Sequence, residues 1–455
     1  MKISAKNILL NTGWQHDITL TIEDGVISDI KPGIDTDAEQ YGTVIPGMIN
    51  CHSHAFQRAF AGFSEQGSEG KDSFWTWRKI MYQFLAQLTD KDAQAIAKQL
   101  YIEMVKSGYT RVAEFHYLHH DQNGANYPEL ATMAKAIFNA AKEAGIGLTL
   151  LPVLYQYSGF GAQAPNEGQK RFINSTEQFN QLVSDCFELS KEYENSNVGI
   201  APHSLRAVDK EALSAAVAHL TLLDKNAPIH IHIAEQQQEV NDCIAHYGKR
   251  PVQWLLDNMA VDKRWCLIHA THIDQQERQG LASSGAVAGI CPTTEANLGD
   301  GIYPTTEYML EGGYLAIGSD SHISVNPIEE LRWLEYAQRL DRQKRALLAT
   351  NKTPSVGQYL WQSAALGGAI STNTNAGELA LGKQADLLVL DEQAMSLFAQ
   401  KPQHLLDSLV FATQNNAIKH VMINGQWVVK DKHHPHEAES REAFSKLLGR
   451  VDLSS

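Results

Sequence analysis

Eight short runs of aliphatic and β-branched residues recur between positions 43 and 319, and helix-period stretches separate nearly all of them. The runs are 43–50 (TVIPGMIN), 111–117, 148–154, 198–203, 228–234, 265–270, 285–291 and 313–319. Segments 90–106, 128–144, 176–193, 210–222 and 328–347 carry the helical pattern. Such alternation predicts parallel strands with crossover helices, and eight repeats predict an α/β fold closed into a (β/α)8 barrel rather than an open sheet. Residues 44–376 exceed the ~250 of a plain barrel, so its loops carry insertions. The clearest is the polar, Gly-rich 61–73, which leads into FWTWRKIMY.

The two ends read differently. Residues 1–42 contain DITLTIEDGVISDI around Asp24-Gly25, and residues 377–430 contain ADLLVLD and HVMINGQWVVKD around Asn424-Gly425. Both dipeptides favour tight hairpins. Neither end can bury a sheet alone, so 1–43 and 377–455 are expected to build one small β-sandwich beside the barrel at 44–376. With 455 residues, 43% hydrophobic and 20% charged, the chain can bury a large core. A net charge of −14 argues against a nucleic-acid partner, which needs a basic stripe. No apolar run approaches the ~18 residues of a membrane span, and the start does not read as a secretory signal. Five cysteines without a C-x-x-C pair predict a reduced, cytoplasmic protein.

The 19 histidines carry the chemistry. His52 and His54 follow the first strand as H-S-H, and side chains at i and i+2 of an extended chain share a face. Both imidazoles thus meet at the carboxyl end of a strand, where barrels place their sites, and together suit a divalent metal such as zinc. The fifth strand, IHIHIAE, puts His230 and His232 on one face. His232 is nearer the mouth and is the third ligand; His230, one layer deeper, reads as a hydrogen-bonded barrel histidine. Glu235 lies just past that strand, His269 ends the sixth, and Asp320 follows the eighth as an anionic fourth ligand. Such a metal lowers the pKa of bound water from ~15.7 towards ~7. Asp320 can accept the water's proton, Glu235 can carry it to a leaving nitrogen, and His269 can orient the water and stabilise the developing anion. The alternative for His269 is a structural role behind the ligands.

H-S-H at strand one, H-x-x-E at strand five, His at strand six and S-D at strand eight resemble the amidohydrolase superfamily, as does GELALGKQADLLVLD at 377–391. Its binuclear members carry a carboxylated lysine on strand four; VGIAPH here has none, which implies a single metal, as in the deaminases. Zinc, one per subunit, is the expectation, although iron and manganese accept the same ligands. NCHSHAFQRAFAG, DSFWTWRKIMY, AEFHYLHH, HSLRAV, HIAEQ and TEANLGDG are similar to the formimidoylglutamate deiminases. That resemblance implies hydroxide attack on a formimino carbon, giving N-formyl-L-glutamate and ammonia in histidine degradation. It also implies substrate-binding roles for Gln57, Arg78, Tyr117, His203 and Arg206, and the superfamily suggests a homodimer.

A dicarboxylate substrate needs cations near the metal. Arg206, just past strand four, can fork a carboxylate, and Arg78 can supply a second cation if the insertion folds over the mouth. The alternative is an aromatic aminohydrolase acting on a purine, pyrimidine or related ring with the same metal site, and a non-catalytic barrel is the third reading. The other histidines read plainly: His433, His434 and His436 as a solvated turn, His119 and His120 as loop residues without a ligand role, His116 as packing behind its strand. Cys51 should face away from the metal, and Cys291 reads as core.

Overall fold

The computed structural model describes residues 1–63, 65 and 81–451. Arg78, Trp75, Trp77 and most of the 61–73 insertion therefore lie outside the described residues. The eight barrel strands are Met48–Ser53, Tyr109–His116, Gly147–Leu154, Ser196–Val198 continuing into Ala201–Pro202, Ile229–Ile233, Trp265–His269, Val287–Ile290 and Tyr314–Ile317. Every pairing is parallel. Ile317 pairs with Asn50, and a parallel bridge from Ile200 to Ile229 closes the ring between the fourth and fifth strands.

Local chemistry starts and stops the crossover helices. Asp90–Ser107 begins at a Thr89/Asp92 capping box and ends at Gly108, whose φ of +105° a side chain would resist. Gln275–Ser284 begins the same way with Asp274 and Glu277. At the site, Gly318 has a steric purpose: a Cβ there would meet the Cβ of His52 at 2.8 Å and Cys291 Sγ at 2.9 Å. The eighth strand can approach the first closely only because that side chain is missing.

The seven terminal strands form one hydrogen-bonded sheet, four from the N-terminal segment and three from the C-terminal one. Its middle strand, Glu39–Pro46, runs parallel to Lys2–Leu10 on one side and antiparallel to Leu387–Leu390 on the other. Ile3, Ile8, Leu20, Leu387 and Met422 share its core, so neither end is complete without the other. Asp24-Gly25 and Asn424-Gly425 all have positive φ, as the hairpin reading requires.

Two readings are corrected. Residues 43–50 are not one barrel strand: Val44–Pro46 pair with Leu387–Val389, and the barrel begins at Met48. The chain changes sheets at Gly47, whose N–H goes to Asp386 while Met48 N–H goes to Gly108. His434 is not in a solvated turn. It is buried, with Nε2 3.1 Å from Ala144 O, because it closes the end of helix Thr132–Ala144. No described helix is long and apolar enough to cross a membrane.

Burial pushes His230 down to about 4 and His116 down to about 3. The unfolded chain takes up these protons near pH 6.5 while the folded chain refuses them, so the stability they contribute is complete above that pH and drains away below it. Denaturant unfolding of the metal-free protein is expected to lose about 2 kcal/mol per histidine between pH 7 and pH 5. Equal stability at the two values would contradict these assignments.

Candidate metal centre

His52 and His54 stand at the mouth end of the first strand, His232 on the fifth and Asp320 after the eighth, all buried. His232 Nε2 lies 3.0 Å from His52 Nε2 and 3.4 Å from His54 Nε2. Asp320 Oδ1 lies 3.4 Å from His52 Nε2 and 3.5 Å from His54 Nε2. Ligand bonds of ~2.0–2.1 Å in a tetrahedron require edges of about 3.3 Å, so these four separations fit one zinc-sized cation. The donor chemistry agrees. His54 Nδ1 is 3.0 Å from Phe115 O, a carbonyl that can only accept, so the proton sits there and Nε2 keeps its lone pair. Burial pushes His52 down to about 3 and lowers His54 and His232 as well, holding all three in the neutral form a metal needs. Burial alone would raise Asp320, but the surrounding imidazoles of His52, His269 and His54 hold it well below the carboxylate range.

Beyond this cradle lies an acid–base group. His269 Nε2 is 3.8 Å from both Asp320 Oδ2 and Glu235 Oε1. Its Nδ1 is 3.2 Å from Glu295 Oε1, which also accepts the Cys291 N–H at 2.8 Å. Burial works against a charged His269, yet Glu235, Glu295 and Asp320 push it well above the imidazole range. Glu235 is raised, by burial first and by Asp320 among its neighbours. The backbone is bent to aim these groups: Ala234, His269, Ala270 and Asp320 have φ between +44° and +68°, which L-residues avoid.

Sequence reasoning missed Glu295 and Asp300. Asp300 offers a carboxylate oxygen within 4.8 Å of the Glu235 and His269 ligand atoms; burial and the Glu235 charge push it up to about 9, and Gln236 donates to it. Both residues lie in TEANLGDG, but neither is on a strand, so alternation could not aim them. Of the expected substrate contacts, Gln57, Tyr117, His203 and Arg206 line one cavity with His54, His232, Glu235, His269 and Asp320. Gln57 Nε2 donates to Tyr117 OH at 3.3 Å. Arg206 Nη1 is buried with no hydrogen-bond partner among the described residues, an arrangement suited to an anion from outside. Tyr155, Phe172 and Leu298 supply apolar wall that the sequence did not single out.

Three further histidines answer to backbone carbonyls: His230 to Ser371, His119 to Val153, His120 to Ile173. His119 and His120 lie in the loop after the second strand, as expected, and are buried there. Cys51, Cys266 and Cys291 pack together in an apolar cluster, with burial raising the Cys51 and Cys291 thiols.

Residues 43–428 match the amidohydrolase family, and residues 2–40 match the N-terminal domain of formimidoylglutamate deiminase HutF. A formimidoylglutamate deiminase of Pseudomonas aeruginosa is 48% identical over 452 residues, with 99% of each chain covered. The crystal structure of an amidohydrolase from Brucella melitensis superposes with a TM-score of 0.93 at 45% identity, covering 99% of both chains. An adenosine deaminase from Xanthomonas campestris with bound zinc shares the fold, with a TM-score of 0.81, 19% identity and 98% of both chains covered.

Proposed function

The chain belongs to the amidohydrolase family, to its formimidoylglutamate deiminases in particular, and from that membership we infer that it hydrolyses N-formimino-L-glutamate to N-formyl-L-glutamate and ammonia, a step of histidine degradation. The observation that carries the substrate is the 48% identity to a deiminase of that name along the whole length. The site's geometry meets each chemical demand of the reaction. His52, His54, His232 and Asp320 would hold one divalent cation, zinc by the spacing of the donors, with iron or manganese acceptable to the same set. Bound there, the cation supplies a water acidified to near-neutral pKa and a positive charge beside the reacting carbon.

The chain's own groups do the rest. Asp320 Oδ2 faces His269 and is placed to take a proton from the attacking water. His269, fixed through Nδ1 by Glu295, presents Nε2 to the developing negative charge. Glu235, whose carboxyl burial raises, stands beside His269 and is placed to carry a proton to the departing nitrogen. Arg206, with Gln57, Tyr117 and His203 lining the same cavity, would anchor a carboxylate of the substrate beside the apolar wall of Phe172 and Leu298. All five cysteines are free and buried, which supports a cytoplasmic location.

Ammonia release from the zinc-loaded protein tests this reading. N-formimino-L-glutamate should turn over, and cytosine, guanine and adenosine should react at less than about one hundredth of its rate, because two carboxylates rather than an aromatic ring are recognised. Preference for a heterocycle would instead favour the aromatic aminohydrolase reading.

A further inference from the structure

We propose that Glu114 is a positioning residue that sets the metal cradle through a one-way chain of buried hydrogen bonds joining the first and eighth barrel strands. The proposal rests on the cradle described above.

Glu114, on the second strand, is 1% exposed and has no cation within ion-pair distance among the described residues. Its Oε2 accepts from Ser53 Oγ at 2.6 Å and Tyr101 OH at 3.0 Å, and its Oε1 from the Ala55 N–H at 2.7 Å. Ser53 and Ala55 flank His54, and Ser53 also separates the two imidazoles of H-S-H. One carboxylate thus grips the backbone on both sides of a ligand.

The grip extends further. A carboxylate only accepts, so the Ser53 hydroxyl proton points at Glu114. Ser53 Oγ lies 3.2 Å from His322 Nε2, which must then be the ring nitrogen bearing hydrogen. His322 Nδ1 is left as an acceptor for Ser319 Oγ at 3.0 Å. Ser319 Oγ in turn accepts from Asn50 Nδ2 at 2.6 Å. Asn50 Oδ1 takes the N–H of Ser319 at 3.1 Å and of His52 at 3.2 Å, which orients its amide independently. Each donor along the chain meets one acceptor, and reversing any link would set two donors against each other. Asn50, Ser53, Ser319 and His322 are all fully buried, so water cannot mend a reversal. The chain's far end holds the segment in which Asp320 and His322 adopt φ of +44° and +60°. Glu114 thereby ties the strand bearing His52 and His54 to the turn bearing Asp320.

Glu114→Gln tests this, since the amide must bring a donor to face either the Ser53 and Tyr101 hydroxyls or the Ala55 N–H. Zinc affinity, measured by chelator competition, is expected to fall 10- to 100-fold, as for partners that orient metal ligands elsewhere. The absorption spectrum of the cobalt-loaded variant should shift as well, a response that packing loss away from the cradle would not produce. Tyr101→Phe removes a donor without changing the chain's direction and should leave affinity within about threefold. His54→Ala reports on the cradle itself. Loss of zinc in His54→Ala but near-parental affinity and spectrum in Glu114→Gln overturns the proposal and keeps the cradle; retention of zinc in both overturns the cradle. Equal losses in Tyr101→Phe and Glu114→Gln also overturn it, assigning the effect to packing. If Glu114→Gln yields no folded protein, Ser53→Ala, which deletes the link, is read against the same thresholds.

Discussion

Asp320→Asn is expected to lower kcat about a thousandfold and to make the metal-free protein less stable than the parent. The side chain serves two ends at once: Oδ1 lies within 3.5 Å of the His52 and His54 ligand nitrogens, and Oδ2 faces His269 at 3.8 Å. Asparagine keeps the shape but removes the proton acceptor, and a positioned acid or base typically contributes ~10²–10⁴ in rate. Losing the charge also removes the anion that, against burial, His52, His269 and His54 hold well below the carboxylate range, an interaction that favours the folded state. Turnover at saturating substrate and a melting curve of the apo form check both halves. A kcat within tenfold of the parent would remove Asp320 from the reaction.

Arg206→Met is expected to reduce kcat/KM by about 10²–10³, chiefly through KM. Its Nη1 is buried with no hydrogen-bond partner among the described residues, a donor left over for an anionic ligand in the cavity it lines. Truncating one member of a buried charged hydrogen bond costs about 2–5 kcal/mol, which is the range of that loss. Lysine should recover only part of it, since an ammonium cannot reproduce the planar fork. A formimino amino acid lacking the side-chain carboxylate separates the roles. If Arg206 holds that carboxylate, the substitution should hardly matter for this poorer substrate. An undiminished penalty would move Arg206 to the α-carboxylate, and no penalty with either substrate would remove it from recognition.

The parts of this molecule that were legible in the sequence are those governed by short-range periodicity. Alternation along IHIHI separated His230 and His232 from the outward isoleucines, and strand-end position then ranked His232 above His230; the Ser371 carbonyl at 2.7 Å from His230 fits that ranking. The Asp-Gly and Asn-Gly turns were readable because φ > 0 has a residue preference. Glu295, Asp300 and the link from Glu114 to Ser53 were not. They depend on contacts 26, 65 and 61 positions apart in the chain (His269 to Glu295, Glu235 to Asp300, Ser53 to Glu114), and no local pattern encodes which loop folds back over which strand end.

From the order of residues alone came the barrel, the terminal strands drawn from both ends, and the identity of each side chain at a strand's mouth, because backbone geometry repeats every two or 3.6 residues. Only the closed ring decided that His52 and His54 stand 3.0–3.5 Å from His232 and Asp320, and which buried groups aim them. Strand register and the close approach permitted by Gly318 set those distances, and both are properties of packing between elements rather than of any one segment.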